Sequence, residues 1–225
     1  MGVSITTAEI MDRLPSPADW RRAPLVRHLS STSGDLPPLG FLINEAVASE
    51  KASCRAAGLF TLRMRYAADG MATYVTALRD RSGEVSLLAA TAIAELGDGT
   101  QRKEFFDWAR RRMSRKSRLN NWDMHEVPAL VQYSHRIDAL SQLARLLRRH
   151  HRNLAPEEHA VLSRDAPTLL DPHADPGSIS GTDVDVDAIL DWARATTGTM
   201  FGPPHLEPSE VEYAENDIRE LLHLQ

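Results

Sequence analysis

Glu84-Val-Ser-Leu-Leu-Ala-Ala-Thr-Ala-Ile-Ala-Glu-Leu-Gly97 decides the fold. Val85, Leu88, Ala89, Ala92, Ile93 and Leu96 fall at i, i+3, i+4, i+7, i+8 and i+11, which makes one continuous apolar face at a period of 3.6 residues. The spacing predicts a helix over 84–96, closed by Gly97 in a left-handed C′ position. Thr100 then caps a second helix over 101–113, with Phe105, Trp108, Ala109 and Arg112 along one face. The two read as a helical hairpin.

The same layout recurs on the N-terminal side. Ala56 and Ala57 lie 33 residues before Ala89 and Ala90, and Leu59 and Phe60 match Ala92 and Ile93. Asp69-Gly70 punctuates the turn, and Met71, Tyr74, Val75 and Leu78 make the second stripe. A looser pair is expected at 125–135 and 137–150, and an earlier helix opens at Pro38 and uses Leu39, Leu42, Ile43, Ala46 and Val47. Helix pairs repeating at this interval, with alanines where helices approach, predict an all-α, HEAT-like α-solenoid of antiparallel pairs. No alternating stretch competes for a sheet.

The ends differ in composition. Prolines at 15, 17, 24, 37 and 38 break the N-terminal segment. The expected organisation is a helical-repeat domain over 1–163, a linker over 164–186 rich in Pro, Gly, Asp and Ser, and a C-terminal helical segment over 187–225 that packs on the repeats. Within that last segment Ile189, Trp192 and Ala193 face inward. Ser209-Glu210-Val211-Glu212 forms a capping box for a final helix carrying Val211, Ala214, Ile218, Leu221 and Leu222.

The chain has 225 residues, a net charge of −5, 42% hydrophobic and 25% charged residues, which is ordinary for a globular protein. Its charge is unevenly spread. Residues 102–152 carry thirteen basic and five acidic side chains, whereas residues 153–225 carry three basic and fifteen acidic. The basic block suits a polyanion, and the acidic block repels one or neutralises its neighbour. The longest apolar run is broken at Glu95, too short to cross a bilayer, and the N-terminus lacks the basic and apolar regions of a signal peptide. A cytoplasmic protein without a membrane partner is expected. Cys54 is the single cysteine, which excludes an intrachain disulfide framework. Phosphate-binding glycine loops and the nucleophile elbow are absent. His125-Glu126 does not begin a zinc motif, because position 129 is Ala129.

Residues 101–136 carry the chemistry. An aromatic amphipathic helix leads into six basic side chains, Arg110, Arg111, Arg112, Arg115, Lys116 and Arg118, then into Asn120-Asn121-Trp122-Asp123-Met124-His125-Glu126. If Trp122 starts or precedes a helix, Glu126 four residues on shares its face. An aromatic ring beside a carboxylate, flanked by arginines, suits a cationic ligand carried on a polyanion: the ring holds the cation, the carboxylate stabilises positive charge and the arginines hold phosphates. The other reading of these residues is structural, with Asp123-x-x-Glu126 as an acidic capping box and Trp122 packed on the preceding helix.

This stretch, over roughly residues 84–136, resembles the HEAT-like DNA alkylation-repair glycosylases of the AlkD type. The likeness rests on the repeat EVSLLAATAIAEL, the helix RKEFFDWARRR and the segment Asn121-Trp122-Asp123 followed by Glu126. The resemblance implies duplex DNA as partner, bound by the basic block 102–152, and metal-independent, cofactor-free excision of cationic alkylated purines. Trp122 would be the aromatic wall and Glu126 the catalytic carboxylate, with Asp123 beside them. The family has an aspartate where this chain has Glu126, one methylene longer. The alternative is a non-catalytic helical-repeat interaction module, such as a bacterial immunity or adaptor protein, that binds a protein on its solenoid face.

Overall fold

The structure, a computed structural model, describes residues 5–32, 34–114, 126–197 and 217–222. Among them all regular structure is helical: α1 (Thr7–Asp12), α2 (Arg22–His28), α3 (Leu39–Ala48), α4 (Ala52–Tyr66), α5 (Met71–Ala77), α6 (Gly83–Leu96), α7 (Arg102–Met113), α8 (Val127–Arg136), α9 (Leu140–His150), α10 (Pro156–Asp165), α11 (Pro167–Leu170) and α12 (Val186–Thr197). A further helical segment spans 217–222. The fold class is all-α. Among the described residues no helix is long and apolar enough to cross a membrane.

The chain divides into two compact units, Met1–Ala89 with Pro203–Gln225, and Ala90–Gly202. The division falls inside α6. In the first unit α4 packs against α2 and α3. Small residues set that approach: a Cβ on Gly58 would sit 2.7 Å from the backbone nitrogen of Ala46, so only glycine lets α3 lie this close to α4. Ala56, Ala57, Leu59 and Phe60 are all buried, as the periodicity predicts. Two buried ion pairs brace the unit, Arg22–Glu45 at 2.8 Å and Arg55–Asp80 at 2.7 Å. Burial pushes the Asp80 carboxyl up, but hydrogen bonds from the Arg55 guanidinium and the Ser82 N–H outweigh it and hold the group below the usual carboxylate range. The expected C-terminal segment 187–225 does not stay together. Ile218 and Leu222 join Ile5, Ile10, Leu25 and Leu29 in a core cluster of the first unit, whereas α12 belongs to the second. Of the residues expected in the last helix, Ser209, Glu210, Val211, Glu212 and Ala214 lie outside the described residues.

In the second unit α8 packs on α9 and α12, and α9 on α11. The face predicted for α7 is buried, with Phe105, Trp108 and Ala109 joined by Phe106 and Met113. The Phe105 ring lies 4.2 Å from that of Tyr133 on α8, whose hydroxyl donates to the Asp98 carbonyl at 2.6 Å. Burial pushes the Tyr133 phenol up to about 12.

Three local expectations change. Gly97 is not left-handed; its hydrogen is needed because a Cβ would meet the Ile93 carbonyl oxygen at 2.6 Å. The left-handed cap falls instead on Asp138 after α8, at φ 54°, where the Ala139 N–H bonds back to the Ser134 carbonyl and the Asp138 N–H to that of His135. That is a Schellman closure built on aspartate, which tolerates this backbone better than most residues. Thr100 does not cap α7: it lies in a 3-10 turn over Gly99–Gln101 that leads into the helix, and that turn is capped by Asp98, which accepts from the Thr100 N–H at 2.8 Å.

Residues 164–186 are a folded segment and not a free linker. Ala166, Leu169 and Val184 are buried. Arg148 on α9 donates to the carbonyls of Thr168, Leu169 and Ala174, satisfying acceptors that a loop of this composition leaves open. Asp185 caps α12, accepting from the Ala188 N–H at 3.0 Å.

Candidate nucleic-acid interface

Helical spacing places two different sets of charged residues on α7. Phe105, Trp108, Ala109 and Arg112 share the inward face, and Phe106 and Arg110 lie one turn apart on another. The inward set carries Arg112 to Glu126, at the N-cap of α8. The guanidinium binds one carboxylate oxygen twice, from Nη2 at 2.6 Å and from Nε at 2.9 Å. The Glu126 side chain is 2% exposed and that of Arg112 15%. Burial pushes the Arg112 guanidinium below its ordinary value, opposed by the charge of Glu158.

Glu158 completes the arrangement and was not singled out by its sequence. It is buried on α10 and faces two helix starts. One oxygen accepts from the N–H groups of Glu126 and Val127 at 3.0 and 3.3 Å, and the other from the Ala155 N–H at 3.1 Å. A carboxylate here meets the positive ends of α8 and α10 together. Ala155-Pro156-Glu157-Glu158 does signal a helix start, with proline at N1 and an acid at N3. Nothing in the spacing reveals the bond to α8, 32 residues away. Of the capping box expected from Asp123 and Glu126, Asp123 lies outside the described residues; Glu126 stands at the N-cap of α8, and the Glu158 carboxylate accepts from the N–H groups there.

Of the residues assigned to catalysis by resemblance, Trp122 and Asp123 lie outside the described residues, as do Arg115, Lys116 and Arg118 of the expected phosphate-binding set. Glu126 and Arg112 face each other inside the protein, so in this arrangement the Arg112 guanidinium is engaged by a carboxylate and not by a phosphate. Arg110 and Arg111 are exposed.

The outward set of α7 meets α9. Arg145 and Leu146 each lie three or four residues from both Gln142 and Arg149 along α9, so the four line one face. Together with Phe106 and Arg110 they enclose a cleft of about 180 Å³. Phe106 and Leu146 are buried and form its floor, while Arg110, Arg145 and Arg149 stand exposed around it. Arg110 lies 3.1 Å from Asp107 on its own helix, an exposed contact of small value. Arg145 and Arg149 have no hydrogen-bond or ion-pair partner among the described residues. The Gln142 oxygen accepts from Arg102 Nε at 2.9 Å, which leaves the amide N–H groups as the donors this side chain can offer. The cleft thus offers three guanidiniums, one amide donor, an apolar floor and no carboxylate in its lining. Arg145, Arg149 and Gln142 belong to the basic block noted in the sequence, and the i, i+4 arginines of a predicted helix were the available signal.

The chain matches no protein-family model, and no curated protein or solved structure is significantly similar to it.

Proposed function

We propose that this is a HEAT-like helical-repeat protein that binds duplex DNA through the arginine face of α7 and α9. The single observation carrying the reading is the convergence of Arg110, Arg145 and Arg149 on one cleft, with two of the three lacking any described counter-ion. Uncompensated guanidiniums held by one rigid face are what a phosphate backbone recruits, because each contact releases condensed counter-ions. The likeness of residues 84–136 to the alkylation-repair glycosylases supports the same partner. It does not extend to excision here. Glu126 is neutralised by Arg112 and closed from solvent, so it would reach a lesion only after that pair opened. We therefore assign binding and not base release.

The test is fluorescence anisotropy with a labelled duplex across a salt series. Three phosphate contacts predict a slope of about −3 in log affinity against log salt. Arg145→Gln with Arg149→Gln should flatten that slope by about two. No binding at low salt, or a slope untouched by the double variant, overturns the assignment. A parallel assay of free base released from methylated duplex tests excision: release that falls in Glu126→Gln would restore it.

A second reading, the protein-interaction module, has one observation in its favour. Trp20 is 68% exposed in the proline-bounded N-terminal segment, where an indole is costly to leave in water. Tight capture of a protein by wild type and not by Trp20→Ala, in a protein that fails to bind DNA, would favour it.

A further inference from the structure

We propose that the α7–α9 cleft is a seat for a terminal phosphate monoester, the phosphorylated end of a nucleic-acid strand. This rests on the DNA-binding reading above and narrows it to one part of the ligand. Arg145 and Arg149 contribute two positive charges with no described partner, and Arg110 shares its own with Asp107 at 3.1 Å. Among the described residues, counting Asp107 against Arg110, the cleft therefore holds an excess near +2. A phosphate monoester carries about −1.5 to −2 at neutral pH and presents three acceptor oxygens. It balances the cleft, and each of its oxygens can meet one of the three guanidiniums. An internal phosphodiester brings a single negative charge and two free oxygens, and so leaves more of the cleft's positive charge unbalanced.

Size and shape agree. A cavity of about 150 Å³ takes up one benzene, so a cleft of about 180 Å³ accommodates one small group. The floor of Phe106 and Leu146 suits the apolar face of the terminal sugar or an unstacked base beyond the phosphate. Gln142, its oxygen held by Arg102, adds an amide N–H donor to the lining. Closed duplex passing over the face would contact the exposed arginines and leave this floor empty.

Four probes decide the matter: duplexes of one sequence ending in a 5′-phosphate, a 3′-phosphate or hydroxyls only, and the free nucleoside monophosphate as competitor. At one fixed salt concentration, a phosphorylated end should bind at least about tenfold more tightly than hydroxyl ends. Arg149→Gln should erase that advantage while retaining weak duplex binding. Because the second ionisation of a phosphate monoester lies near pH 6, the advantage should also shrink below about pH 6 in the wild type, a readout that needs no variant. Equal affinity for phosphorylated and hydroxyl ends overturns the proposal and leaves backbone binding standing. A free nucleoside monophosphate that binds as tightly as the phosphorylated duplex overturns the strand-end assignment. Absence of binding to every duplex overturns this proposal and the DNA-binding reading together.

Discussion

Replacing Arg112 with methionine isolates the role of the Arg112–Glu126 pair. The substitution keeps an unbranched, helix-compatible side chain and removes the guanidinium that binds Glu126 at 2.6 and 2.9 Å. The Glu126 carboxylate is 2% exposed, so it stays buried with its counter-charge gone. Breaking a buried pair from one side costs about 3–5 kcal/mol, because the survivor is an uncompensated charge. Arg112 is 15% exposed at the rim of the pair, which lets some water in and places the expected loss near the lower end, about 3 kcal/mol. For a chain of this size 1 kcal/mol shifts the melting temperature by about 2–4 °C, so the variant should melt about 6–12 °C lower. Circular dichroism at 222 nm, with the helical signal followed on heating and in urea, measures it. Pairing Arg112→Met with Glu126→Leu should recover most of the loss, since an apolar pair of similar volume removes both charges. A single variant within about 1 kcal/mol of wild type would refute the account. It would mean that Glu126 finds water or another cation, and the carboxylate would again be open to a role in chemistry.

Three further outcomes follow from packing and titration. Ala89→Leu should lose about 1–3 kcal/mol, because Ala89 is fully buried in α6 and has no room for three more carbons; chemical denaturation checks it. Gly58→Ala should cost a similar amount, because its Cβ would press on the backbone of Ala46 and Glu45, which cannot turn aside as a side chain would; an unchanged urea midpoint would refute the close approach of α3 and α4. Asp80 has a carboxyl held below its ordinary value, so its pair with Arg55 stabilises the fold fully above the unfolded value of about 3.9 and loses that contribution as pH falls through the folded value. Wild type and Asp80→Asn should therefore differ in stability near neutrality and converge in acid, and an NMR titration of Asp80 with an ordinary midpoint would refute the cause.

The helices themselves were legible in the chain. Val85 to Leu96 and Phe105 to Ala109 repeat at 3.6 residues, and that period is a local property which burial of one face simply completes. The buried alanines of α4 and α6 were legible for the same reason. Caps were half legible. Glycine after a helix suggested a left-handed turn at Gly97, yet a glycine also answers to a close neighbour, and only the Ile93 and Gln101 contacts show which need it meets.

The site divides along the same line. Sequence alone determined that positive charge gathers in residues 102–152 and that α7 carries arginines on its last turn. Which of those arginines meets solvent was a tertiary decision. Arg112 goes inward to Glu126, Arg148 goes to the carbonyls of 168–174, and Arg145 and Arg149 remain outside facing Arg110. Position in a block sets charge within a few residues, whereas pairing depends on groups 14 to 32 positions apart in the chain, brought together only when α7, α8, α9 and α10 pack. Glu158 shows it most plainly: one carboxylate joins the starts of two helices because both N-termini, each needing an acceptor, end up facing the same buried point.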